Sequence, residues 1–287
     1  LWAQDLIWDL EELQFALNRL VPLGCKGTTG TQASFLILFN GDRKKVWQLD
    51  DAVCKKMGFS RAVSVSGQTL SRKVDVWFLN ALANLGSSLS KMSYDLRLLQ
   101  HLNEVKEPFG KAQVGSSAMA YKQNPMMAER ITGLSRFLMS LSQNGMWTHA
   151  TQWLERSLDD SSNRRLVLPE AFLTADALLE IAHRILAGLR VEKTEIKTRL
   201  DKYRPLFLTE EEMMVGTIKG GSRQELHEKI RKKMVQGKIK KSKSSLGKSL
   251  SGMSAEQVDR FVREILQPVL KRYAGSKKGH QFQSANL

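Results

Sequence analysis

The chain has 287 residues, 42% of them hydrophobic and 25% charged, the balance of a globular protein with a buried core. Two cysteines, Cys25 and Cys54, exclude a disulfide framework or a four-ligand zinc site and favour a reducing, cytoplasmic compartment. No apolar run nears the roughly 18 residues of a membrane span, and the opening residues do not read as a signal peptide.

In chain order, Leu6, Leu10, Leu13, Leu17 and Leu20 recur at helical spacing. No capping residue precedes Trp2, so the helix begins in stride, and the expectation is that the chain is the later part of something longer. Apolar residues from Leu70 to Leu102, among them Val74, Trp77, Phe78, Leu82, Leu85, Leu89, Met92, Leu96 and Leu99, predict one long helix of an extended bundle, with a bend at Gly86. Asn124 and Pro125 fit the cap and the first position of a second helix. A third spans Ser162 to beyond Leu186, with a kink at Pro169. Beyond Leu189 shorter helices are expected. Ser222–Glu225 and Ser254–Gln257 read as capping boxes, opening helices over Arg223–Met234 and Ala255–Tyr273. Gln236–Gly252 reads as a flexible loop, and residues 274–287 as a disordered tail. Strand signals are nearly absent. The chain is therefore read as all-α: a long-helix central bundle over residues 1–190, then a small helical C-terminal domain over 191–273.

Two segments carry chemistry. Gly115–Pro125 holds two hydroxyls, a lysine and an asparagine ahead of a helix whose N-terminus offers free N–H groups to an anion. Its small residues suit a loop that folds over a ligand; a plain polar connection is the alternative. Glu155–Arg165 packs three arginines, serines and an asparagine into one stretch, and guanidinium forks match carboxylate and phosphate. Alternatively, Asp159 and Asp160 pair with neighbouring arginines as a solvated helix cap.

Together these segments resemble the fumarase/aspartase superfamily, whose signature loop Gly115–Pro125 matches. Fuller matches resemble its adenylosuccinate lyase branch of the animal-like type: Lys26–Phe35, Ser66–Thr69 with Arg72 and Lys73, Glu129 and Arg130, Trp153–Arg165, Glu170–Asp176 and Gly220–Gln224. The resemblance runs from Trp2 to Arg231 and resumes weakly over Ser254–Tyr273. It implies β-elimination of fumarate from adenylosuccinate, giving AMP, and from the succinyl-carboxamide ribotide of purine biosynthesis. It implies Ser116 as general base and Lys122 as stabiliser of that base and of the aci-carboxylate intermediate, which needs preorganised positive charge. Gln68, Asn124, Arg130, Arg156, Ser161 and Arg165 match substrate-binding positions. A small anionic nucleotide substrate, no cofactor, no metal, and a homotetramer with active sites shared between subunits are implied as well.

Several features depart from that pattern. The family's general-acid histidine matches none of His101, His149, His183, His227 and His280, and is expected upstream of Leu1. Ala120 replaces a proline, which loosens the open loop, and Gln123 stands where this branch often has arginine. The net charge of +15 is uneven: Lys219–Lys248 carries nine of it. Two other functions follow. One is a catalytically incomplete subunit that joins a full-length lyase. The other is a nucleic-acid-binding module over Lys219–Lys248, disfavoured because that stretch has no aromatic residue for stacking.

Overall fold

The computed structural model describes residues 1–110, 119, 121–236 and 252–274. Ser116 and Ala120 of the signature loop, and most of the Gln236–Gly252 and 274–287 segments, lie outside the described residues. The described residues form two compact units: those within 1–98, 107–189 and 268–274 make the first, those within 99–106 and 190–267 the second. The all-α expectation holds. Among the described residues the strands are one two-residue pair, β1 (Val105–Lys106) antiparallel to β2 (Arg190–Val191) in the second unit.

The first unit is built on α1 (Trp2–Asn18), α2 (Ala33–Leu38), α3 (Arg43–Lys56), α4 (Lys73–His101), α5 (Met126–Ala150) and α6 (Asp160–Ala187). Its core is the shared seam of the three long helices. Leu89 and Met92 of α4, Ile131 and Leu138 of α5, and Leu178 and Ile185 of α6 are fully buried, each stabilising the fold by about 1.5–3 kcal/mol relative to exposure. The buried face of α4 differs from the predicted stripe: Val76 and Leu79 are buried, whereas Val74, Trp77, Phe78 and Leu85 are half-buried. The helix is covered on more than one side. Phe78 meets the Phe172 ring at 6.5 Å, and the Arg19 guanidinium lies 4.1 Å from the Trp77 ring centre. From α1, the Trp2 indole donates to Asp95 of α4 at 2.7 Å. Helix α6 continues through Pro169, where the ring removes only the bond to the Arg165 carbonyl.

The start of α5 departs from expectation. Pro125, not Asn124, holds the cap position, and no capping side chain comes from it. The acceptor is Glu107, twenty residues earlier: its two carboxylate oxygens accept from Met127 N–H at 3.0 Å and Ala128 N–H at 3.1 Å. The first-turn N–H groups read as free for an anionic ligand are thus engaged by a buried side chain. Burial pushes the Glu107 carboxyl above its ordinary range, against the backbone donors that favour its charge.

In the second unit, α7 (Lys193–Ile218) is long rather than short. It is followed by α8 (Arg223–Val235), whose Ser222 hydroxyl accepts from Glu225 N–H as the capping box requires. The second box does not form. Met253 takes the cap position and Ser254 is the first residue of α9 (Ser254–Phe261). The expected single helix over Ala255–Tyr273 passes through a π-helical turn at Val262–Leu266 before α10 (Gln267–Ala274), which from Pro268 is counted with the first unit. Pro268 has no N–H to donate to the Glu264 carbonyl, and the wider turn absorbs that lost bond.

Candidate active site

Three stretches distant in sequence meet at the N-terminal end of α6. Gly30, at φ +82°, lies against the 66–67 backbone: a Cβ there would sit 2.0 Å from the Ser66 carbonyl oxygen. Gly67 in turn lies against Glu155, where a Cβ would sit 2.4 Å from the carbonyl oxygen. These close approaches need glycine, and they seat the Lys26–Phe35 loop on the Ser66–Thr69 segment and that segment on the Glu155–Arg165 turn.

Buried charges lock the same stretches. Lys26 pairs with Asp50 of α3, both nearly out of solvent; the other Asp50 oxygen accepts from Cys25 N–H at 2.6 Å. Arg72 Nε donates to Asp160 at 2.5 Å. Arg164 forks onto Asp75 at 2.5 and 3.1 Å, docking α6 on α4; that hydrogen bond raises the Arg164 pKa further. Asn163 bridges to Asn144 and Thr148 of α5 at 3.0 and 3.2 Å.

This junction brings together Gln68, Arg156, Ser161 and Arg165. Gln68 and Arg165 are exposed, and Arg156 and Ser161 are half-buried. The solvated-cap alternative is corrected for Asp160. It does lie 3.8 Å from Arg156, but it is fully buried and its main partner is Arg72, 88 residues upstream. Sequence reasoning missed Asp50, Asp75 and Glu107, which lie outside every stretch singled out by motif, and it gave Asp160 the wrong partner.

The other expected site residues lie elsewhere. Lys122, exposed, and Asn124, half-buried, precede α5, and exposed Arg130 is in its second turn. The junction sits near Asn144 and Thr148, at the far end of the same helix. Fourteen residues of α-helix separate Arg130 from Asn144, about 20 Å of rise, and Lys122 and Asn124 lie further still. Within one chain the expected site residues therefore form two groups, at opposite ends of α5. Ser116 itself lies outside the described residues.

A family profile described as Lyase covers residues 1–139. The adenylosuccinate lyase of Schizosaccharomyces pombe is 48% identical over 231 residues, 80% of this chain and 48% of that protein. The Saccharomyces cerevisiae enzyme of the same name is 49% identical over the same shares, and that of Schistosoma mansoni 42% identical over 95% of this chain and 63% of its own length. The chain thus spans about half the length of the curated yeast relatives it matches. Among solved structures, fumarate lyase from Mesorhizobium sp. BNC1 superposes over 93% of this chain and 55% of its own, with a TM-score of 0.68 at 22% identity, a likeness of fold. With yeast relatives near half identity across four fifths of its length, and the same long-helix fold as a fumarate lyase, this chain belongs to the adenylosuccinate lyase family.

Proposed function

We propose that the protein is an adenylosuccinate lyase, releasing fumarate from adenylosuccinate to give AMP, and from the succinyl-carboxamide ribotide of purine synthesis. Ser116 removes the proton from the carbon beside a succinyl carboxylate. The electron pair moves into that carboxylate, and collapse of the resulting dianion breaks the C–N bond as a general acid passes a proton to the leaving nitrogen. Serine is a poor base unless its alkoxide is stabilised, a role for the Lys122 ammonium. Asn124 and Lys122 hold succinyl carboxylates, while Gln68, Arg130, Arg156, Ser161 and Arg165 hold the rest of the anionic substrate. A cytoplasmic location belongs to the same reading, supported by two free cysteines.

The observation that carries the assembly is the split of the site. Because Lys122, Asn124 and Arg130 lie about 20 Å or more along α5 from the Arg156 junction, one small substrate does not touch both groups of one chain. The reading is a homotetramer in which each active site takes its two groups from different subunits. Large apolar side chains left exposed on the first unit, among them Trp8, Phe15, Trp147 and Trp153, support burial between copies.

Ser116→Ala in the natural protein is expected to lower fumarate release about a hundredfold or more while the circular dichroism and assembly size stay unchanged. Near-normal turnover in a folded variant would remove Ser116 from the mechanism.

A further inference from the structure

Beside the residues read as substrate contacts, one buried cluster has contacts left unmade. Asp160 opens α6 with its side chain wholly out of solvent. One of its oxygens, Oδ2, is taken by Arg72, which donates from Nε at 2.5 Å and pairs through its terminal nitrogen as well. The other oxygen, Oδ1, accepts no hydrogen bond. Arg156, four residues earlier, places a terminal guanidinium nitrogen 3.8 Å from that free oxygen. That separation gives attraction without a hydrogen bond. The Arg156 Nε is buried and also unbonded.

The arrangement has an electrostatic consequence. A carboxylate alone beside Arg156 would cancel the charge an anionic ligand needs. Arg72 supplies a second positive charge, so the three side chains together keep one net positive charge. Arg156 is oriented by Asp160 while its donors are not consumed by a bonded salt bridge. The same carboxylate also joins the turn carrying Arg156 and Ser161 to the segment carrying Gln68, which ends three residues before Arg72.

We propose that Asp160 is the positioning residue for Arg156: its free oxygen steers the guanidinium so that its hydrogen-bonding edge is presented to an anionic group, a carboxylate or a phosphate, of the substrate. This rests on the reading of Arg156 as a substrate contact given above. Asp160 itself, being fully buried, touches no ligand.

The test is calorimetric titration of the assembled full chain with AMP and, separately, with fumarate, which distinguishes phosphate from carboxylate as the group held. Arg156→Ala is expected to weaken one of the two. Asp160→Asn is expected to weaken the same probe about tenfold, and to weaken it no further once Arg156→Ala is present, the mark of two residues acting as one unit. A general loosening of the fold would instead add its loss in both backgrounds. Since Asp160→Asn strips the charge from a buried pair, Arg72→Met with Asp160→Asn is measured alongside; it leaves no unpaired buried charge and is expected to show the same coupling. The proposal is overturned if the folded variants bind both probes as the unsubstituted chain does, or if the Asp160 loss persists unchanged in the Arg156→Ala background. Failure of the underlying reading looks different: Arg156→Ala then leaves both probes unaffected, or neither binds the unsubstituted chain, and the proposal falls with it.

Discussion

Lys26→Met is expected to destabilise the first unit by about 3–5 kcal/mol, the cost of leaving a buried charge without its partner. Lys26 and Asp50 have side chains only 6% and 7% exposed, so water does not replace the lost ammonium. The pair fastens the loop before α2 to α3, and Asp50 also accepts the Cys25 N–H. Asp50→Asn added to Lys26→Met removes the stranded charge but keeps an acceptor for that N–H, and most of the stability should return. Denaturant unfolding reads both variants through the shift in midpoint at constant slope. A loss below about 1 kcal/mol for the single variant, the size of a surface ion pair, would mean that Asp50 is hydrated in the folded protein.

Gly30→Ala carries the second large effect. At φ +82° an alanine pays roughly 1–2 kcal/mol for the left-handed backbone alone. The added methyl would also sit 2.0 Å from the Ser66 carbonyl oxygen and 2.8 Å from that of Gly67. These are backbone atoms that cannot rotate away, and overpacking adds about 1–3 kcal/mol. A total of about 2–5 kcal/mol is expected, with AMP affinity falling because the segment bearing Gln68 must shift. A loss confined to about 1 kcal/mol with unchanged AMP affinity would mean that the 26–35 loop does not bear on the 66–69 segment.

Much of the fold was legible because long helices with one dominant apolar stripe announce themselves. The α4 and α6 helices fall within a few residues of their predicted limits. Helix α7 was not legible, since only Leu208 and Met213 of its 26 residues are buried and no stripe stands out. Cap positions failed where tertiary partners override local preference. Asn124 is a good cap by type, yet Glu107 supplies the acceptors, and nothing in the local pattern around residue 124 points back to residue 107. Asp160 was misread for the same reason. Its arginine neighbours are visible in sequence, but the partner that buries it is Arg72, 88 residues away. The proposed site residues come from motif, and motif order says nothing of distance: the length of α5 lies between Arg130 and the Arg156 junction.

That separation gives the most direct measurement: fumarate release by mixed assemblies of two variants. Ser116→Ala and Arg156→Ala chains, each nearly inactive alone, are dissociated, mixed in equal amounts and reassembled. If each site takes its loop from one subunit and its Arg156 junction from another, about a quarter of the hybrid sites receive both intact groups by chance, and adenylosuccinate cleavage should return to about that fraction of the unsubstituted rate. If each site were complete within a single chain, mixing would restore nothing, and the shared-site lyase would be contradicted.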